Sequence, residues 1–422
     1  MMIAASRHLA LLLLLCWAGA TAVMVDVAII GGGPAGLAAA AAAKRALGPK
    51  ATVAVFERSP ELLQVGGQVG LMSPGFNALD AIDPQGKLSA AVEAAGVQRK
   101  LLRTLNKKGE LEGEMPIEGR QVVIPWYALQ RSLASQLPPD TPLHLGRELE
   151  AIEETCVGGD DCLALTFGRR ERRREQQQQQ QQQHQEGGEG EREAEEKRKE
   201  TVTARLVVGA DGNMSRLRAL LFGGEQEGGE GPPEYAGSAI WRMFIRGDFE
   251  GLENGVSHVW SGDGKVLAMQ KMTSPAVGEG STNYFDKEYN EEEETRVYVS
   301  GQAAWPEAEL SVLDRRRYVG AEDGSALDGG RSTKSERLGR FAATFEGFPK
   351  DVVAFALAHC EVSSVLEHPI YYREPSRPWG KGRCTLVGDA AHCIPPNMAS
   401  TFTFISSVYR LFPAAPEIDI DS

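Results

Sequence analysis

Three short stretches carry residue types at spacings that could do chemistry. The first, Gly31-Gly32-Gly33-Pro34-Ala35-Gly36, reads G-x-G-x-x-G, and Glu57-Arg58 follow at the end of the next apolar run. In such a pattern the first glycine permits a tight turn, the second lets a diphosphate approach the backbone, and the third permits close helix–strand packing. The helix that follows offers unpaired N–H groups and a partial positive charge, and a carboxylate about twenty residues on can accept from ribose hydroxyls. A glycine turn used only for packing gives no reason for Glu57, so the pattern predicts a bound dinucleotide. The second stretch, "LVVGADGNMSRLRALL", holds Asp211-Gly212 with Ser215 and Arg218. The third, "RCTLVGDAAHCIPP", holds Gly388-Asp389-Ala390-Ala391-His392.

The elements that must position these residues are legible in outline. Val25, Val27, Ile29 and Ile30 form a nearly continuous apolar run, as expected of a strand covered on both faces. Pro34 suits a first helical turn, the alanine run favours helix, and Gly48 is a natural stop. "ATVAVFER" predicts a second buried strand ending at Glu57. "RQVVIPWYALQRSLASQLP" predicts a strand running into an amphipathic helix with Leu129, Leu133 and Leu137 on one face. From Ala236 to Gln302 several strand-like segments succeed one another, among them "GSAIWRMFIRG", "VSHVWSG" and "KVLAMQKM". A return to helix and a last buried strand, "GRCTLVGDAAH", complete the order. The fold class is therefore α/β: a Rossmann-type nucleotide-binding domain with an inserted, mostly antiparallel β-sheet domain on the substrate side. The expected divisions are a leader over 1–22, nucleotide-binding segments at 23–167, 201–235 and 346–401, the sheet domain at 236–345, and an atypical tail at 402–422.

Composition narrows the partners. The net charge of −13 gives no basic surface that could follow a phosphate backbone, which argues against nucleic acid. The first 22 residues combine Arg7, a leucine-rich core and small residues at Ala18 to Ala22, the pattern of a cleavable signal, with an uncleaved anchor over the uncharged run Leu9 to Val25 as the rival reading; the preferred expectation is entry to the secretory route, towards a compartment left open, with no membrane span after cleavage. Residues 168–200 are rich in Gln, Glu and Arg without apolar periodicity and are expected to be a disordered hairpin tip between "CLALTF" and "TVTARLVVGAD". The cysteines show no zinc-site spacing; a Cys156–Cys162 bridge is conceivable, and buried free thiols are the preferred expectation.

With all three motifs in this order, the chain from about Val25 to Asn397 resembles the class A flavoprotein monooxygenases, which include para-hydroxybenzoate hydroxylase, salicylate hydroxylase and zeaxanthin epoxidase. The resemblance implies that Gly31, Gly32, Gly33, Ala35, Gly36, Glu57 and Arg58 hold the ADP half of FAD. It implies that Gly388 and Asp389 reach the ribityl and pyrophosphate region, and that Asp211 and Gly212 support FAD and a transiently docked NAD(P)H. The implied reaction is reduction of FAD by NAD(P)H, addition of O2 to give a flavin hydroperoxide, and hydroxylation or epoxidation of a small aromatic or alkene substrate. Trp241, His258, Trp260 and Tyr284 could line the substrate pocket, with core positions the preferred expectation, and His392 is expected to brace its turn. No catalytic base is assigned. The family carries an Arg where this chain has Trp126, with Arg131 one helical turn along, and a G-Q-G-like turn where this chain has Ala399-Ser400-Thr401. These departures leave a second expectation open, a shortened relative with weak or no FAD binding. A halogenase should show W-x-W-x-I-P, which "IPWY" is not, and a plain nicotinamide dehydrogenase gives no reason for "GDAAH".

Overall fold

The computed structural model describes residues 23–62, 67–169, 199–223, 231–273, 295–313, 333–360, 365–374 and 378–395. The leader, the body of the Gln-rich segment, Tyr284 and the stretch from Pro396 onward lie outside the described residues. The chain begins with β1 (Val23–Ile30), α1 (Pro34–Leu47) and β2 (Val53–Phe56), the expected strand, turn, helix and strand. Next come β3 (Gln68–Met72), α2 (Ser73–Ile82), α3 (Lys87–Ala95) and the short β4 (Val97–Gln98). A hairpin of β5 (Leu101–Asn106) and β6 (Leu111–Pro116) precedes β7 (Gln121–Pro125), which runs straight into α4 (Trp126–Ser135). Then follow β8 (Leu143–His144), β9 (Arg147–Val157), β10 (Asp160–Arg169), β11 (Lys199–Gly209) and α5 (Arg216–Phe222). The later chain supplies β12 (Glu234–Arg246), β13 (Val256–Gly262), β14 (Lys265–Thr273), β15 (Thr295–Ala304), α6 (Lys334–Thr344) and α7 (Lys350–His359). It closes with β16 (Leu366–Tyr372), β17 (Gly380–Lys381) and β18 (Cys384–Leu386).

The first sheet has a parallel centre in the order β18-β11-β1-β2-β8. The apolar run of β1 is buried on both sides, as its composition requires. Val27 and Ile29 face α1 and its neighbouring helices, while Ala28 and Ile30 join Leu165, Phe167 and Leu217 on the other face. β10 pairs antiparallel with β11 up to Gly168 and Lys199, so the Gln-rich segment joins the ends of two paired strands. Thr155, not Cys156, stands opposite Cys162 on the neighbouring strand, and all five described cysteines are free thiols.

The second sheet has seven strands in the order β16-β12-β15-β14-β13-β5-β6, antiparallel throughout except for β13 beside β5. The hairpin at 101–116 and the strand at 366–372 belong to it, and α7 packs on it through Val352 and Ala356. One face of this sheet buries Trp241, Met243, Leu267 and Val299 against Phe341 and Phe345 of the helical layer. The opposite face carries Phe244, Met272 and Tyr298 against Val97 and Val123 of a small three-stranded sheet, β3-β7-β4. Among the described residues no helix is long and apolar enough to cross a membrane.

Candidate functional site

The three motifs meet at the carboxyl ends of the parallel strands, the edge where open α/β sheets bind ligands. Backbone bonds sew their turns side by side: Gly31 N–H to Phe56 O (2.8 Å), Ala210 N–H to Ile30 O (2.7 Å) and Val387 N–H to Gly209 O (2.8 Å). The glycines divide the work as their spacing predicts. Gly31 has φ +109°, and a Cβ there would lie 2.4 Å from Ala210 O. A Cβ on Gly36 would lie 1.9 Å from Gly31 O, so only glycine lets α1 seat on this turn. Gly33 is the open position: its nearest neighbour would be Trp126 Cζ2 at 3.7 Å. The N-terminus of α1 has no side-chain cap, and its first turn holds no acid that would compete with an incoming anion. Ala35 is buried in the core, so only its backbone can serve a ligand.

Glu57 does more than the sequence predicts. Its Oε2 accepts from Gly32 N–H and its Oε1 from Ser59 N–H, both at 2.7 Å. An ionised carboxylate has about four acceptor positions, so two remain for ribose hydroxyls. Arg58 follows, half-buried. The other side of the turn is held by a residue the motif does not include: Gln130 of α4, buried, donates from Nε2 to Gly32 O at 2.7 Å. Its signal in the sequence is a polar side chain on the same helical face as Leu129 and Leu133. Replacing Glu57 with Ala strips two N–H groups of their acceptor and is expected to cost about 1–3 kcal/mol, seen as a lower Tm even before cofactor is added. An unchanged Tm would mean that Glu57 does not brace the turn.

The second and third motifs form one unit. Asp211 accepts from Ser215 Oγ (2.5 Å) and from the N–H groups of Arg216 (2.7 Å) and Leu217 (3.0 Å), capping α5. Burial pushes its carboxyl up, against the pull of those three bonds. Gly212 follows at φ +82°, turning the chain into that cap. Arg218, buried in α5, donates from Nη1 to both Ala390 O and Ala391 O at 3.0 Å. It thereby fixes the turn that begins at Gly388 (φ +58°) and carries Asp389 at the half-buried surface. The His392 ring lies tilted against that of Trp379 (ring centroids 5.3 Å, 51° between planes), and burial holds its imidazole below the ordinary value.

Trp241 and Trp260 face the helical layer, in the core of the second sheet and away from the three turns. His258 stands on that face too, half-buried beside Arg103 (3.4 Å). The aromatic residues that face the small sheet are Phe244 and Tyr298, whose rings lie 5.0 Å apart. Among the described residues no cluster of His, Cys, Asp and Glu is arranged to hold a metal.

No family model matches the chain. It is 27% identical over 380 residues to the aurachin C monooxygenase/isomerase of Stigmatella aurantiaca, an alignment covering 89% of this chain and 76% of that protein. Chloroplastic zeaxanthin epoxidase of Arabidopsis thaliana is 26% identical over 193 residues, 46% of this chain and 22% of the epoxidase. The structure of Klebsiella pneumoniae HpxO with FAD and uric acid matches at a TM-score of 0.64 and 17% identity, over 94% of this chain and 81% of that one. The 2,6-dihydroxypyridine-3-hydroxylase of Arthrobacter nicotinovorans matches at 0.61 and 18%, over 95% and 86%. The chain is similar to FAD-dependent monooxygenases in sequence and in fold, consistent with the class A flavoprotein monooxygenases. The residues present fit FAD: three glycine positions that a Cβ would fill or narrow, an uncapped helix terminus and a carboxylate with acceptor capacity to spare. Its departure lies at α4. Trp126, whose backbone N–H donates to Gly67 O at 2.9 Å, places its ring over Gly33 where the family resemblance expects a guanidinium. Arg131 lies one turn along, its guanidinium 5.9 Å from the centroid of the Tyr127 ring.

Proposed function

We propose that this chain uses FAD and NAD(P)H to insert one oxygen atom of O2 into a small aromatic or alkene substrate. The observation that carries the reading is the convergence of three turns, at Gly31, Asp211 and Gly388, on one strand edge, tied together by backbone bonds and by Arg218. Bound FAD would supply the two-electron redox chemistry and the activation of O2. The chain's part is to bind, orient and exclude water. The N–H groups beginning α1 would face the diphosphate, Glu57 would accept from the ribose, and Asp389 would hold the ribityl and pyrophosphate region. Asp211 and Gly212 hold the turn beside them, where NAD(P)H would dock. The second sheet supplies the dry wall that such oxygen chemistry needs. The relatives support the substrate class: HpxO is seen with uric acid, a small ring compound, and two relatives are named as a monooxygenase/isomerase and an epoxidase. The leader supports entry to the secretory route.

The test is the absorption spectrum of the chain produced with FAD. Bound-flavin bands that bleach anaerobically with NADH or NADPH are the expected result. No flavin binding at saturating FAD would overturn the reading. A second reading, a relative that holds FAD weakly, is favoured by the indole of Trp126 over Gly33. Titration with FAD separates the two, and Trp126→Arg should tighten binding if the second holds.

A further inference from the structure

The first of the three turns contains one peptide, Gly32–Gly33, with a glycine on each side of it. Glycine accepts φ of either sign, so such a peptide can turn over with little movement of the chain around it. In a trans peptide the C=O and the following N–H point in opposite directions. Whatever holds Gly32 O therefore also aims Gly33 N–H. Gln130 of α4 holds it, donating from Nε2 at 2.7 Å. Because Gly32 O can only accept, the NH2 end of the amide must be the end that faces it. Gly33 N–H thus points away from the Gln130 amide, on a half-buried residue, and makes no hydrogen bond among the described residues. Gly33 is also the residue that caps α1, so this N–H stands beside the unpaired donors that begin the helix.

The Gln130 side chain has no other polar task. It is 4% exposed, and its Oε1 is sealed from solvent without a hydrogen-bond partner. An apolar side chain of similar length would pack there without stranding that oxygen. The amide is therefore explained by the single bond it makes, to Gly32 O. Glu57 ties the other polar group of the same residue, Gly32 N–H, at 2.7 Å. Gly32 is thus clamped from two elements, by Glu57 after β2 and by Gln130 on α4. We infer that Gln130 is a positioning residue for the cofactor: it locks the Gly32–Gly33 peptide so that Gly33 N–H is already presented when the diphosphate arrives. Preorganisation of this kind tightens binding by removing the cost of ordering the turn. The inference rests on the FAD reading and adds to it a residue that lies outside the glycine motif.

Titration of the full chain with FAD, read by the change in flavin fluorescence, tests it. Gln130→Met keeps the reach of the side chain and removes the donor. It should bind FAD about 10-fold more weakly, the scale of one lost hydrogen bond. Ser132→Ala cuts a tie between α4 and Ala91 O (3.4 Å) on α3; it is the control for mere anchoring of the helix and should bind as the unaltered chain does. Gln130→Glu separates positioning from packing. Its carboxylate can only accept and repels Gly32 O, whereas its protonated carboxyl can donate to that oxygen. The FAD affinity of this variant should therefore be lowest at alkaline pH and rise as the pH falls, while Gln130→Met keeps the same deficit against the unaltered chain at every pH. The phosphorus NMR resonances of bound FAD should move in both Gln130 variants and stay in place in Ser132→Ala. Unchanged FAD affinity in folded Gln130→Met, or a Gln130→Glu deficit that ignores pH, would overturn the proposal. An unaltered chain that binds no FAD would instead fail the cofactor reading, and its own titration shows this before any variant is made.

Discussion

Gly36→Ala is expected to yield a chain that has lost its flavin and much of its stability. The added Cβ would sit 1.9 Å from Gly31 O and 3.0 Å from Gly31 C, both backbone atoms, with Ala210 Cβ at 3.3 Å behind them. No rotamer change relieves such a clash. Either α1 must slide away from β1 or the turn at Gly31 must open, and Gly31 is itself wedged against Ala210 O. Overpacking of this kind costs about 1–3 kcal/mol when the backbone can shift. Here the shift also moves the N–H groups that would face the diphosphate, so retained flavin should fall further than Tm. Gly339→Ala in α6 is the matched control. It places the same methyl in open space within a helix, where alanine is favoured over glycine by about 1 kcal/mol, and should raise Tm without touching flavin content. If both substitutions behave alike, the steric account of the turn is wrong.

The contrast between those two glycines shows what a sequence can and cannot reveal. Gly36 is readable because its requirement is local: strand, turn and helix are contiguous, and the pattern names the position that must have no side chain. Glu57 is readable for the same reason, although its bonds to Gly32 and Ser59 are not, because any carboxylate at the end of β2 satisfies the motif. Legibility fails where pairing is distant. β5 joins the second sheet by lying parallel to β13, about 150 residues away, and no local alternation in "LLRTLN" announces it. β6 is harder still, since "LEGEMP" is an edge strand with almost every side chain exposed. The face chosen by Trp241 and Trp260 depends on register with β15 and β14, so burial in the core could be favoured from composition but not placed. Gln130 escapes because a buried polar residue looks like any surface one until its neighbours are known.

The largest effect on stability outside the cofactor cradle should come from Arg340→Met. Under the second sheet, Glu367 of β16 has a side chain that is 0% exposed. It accepts from Trp241 Nε1 (2.8 Å), from Arg340 Nε (2.9 Å) and from Arg340 Nη2 (2.5 Å), a bidentate pair whose carboxylate holds the guanidinium above its ordinary value. Removing the arginine leaves a buried carboxylate with one indole N–H for company, a loss of about 3–5 kcal/mol. Replacing Glu367 with Gln at the same time removes the stranded charge while keeping an oxygen for Trp241, and should recover most of that loss. The double-mutant cycle, read by urea denaturation, should therefore show coupling of about 2 kcal/mol or more, whereas additivity within about 0.5 kcal/mol would mean the pair does not act as a unit. The consequence reaches the substrate wall. Trp241 alternates along β12 with Ile240 and Arg242, which point to the opposite face, and a Cβ on Gly67 would lie 2.6 Å from Arg242 Cδ. Loosening the indole in Arg340→Met should thus weaken ring-compound binding in chains that still hold flavin, and the double variant should restore binding and stability together.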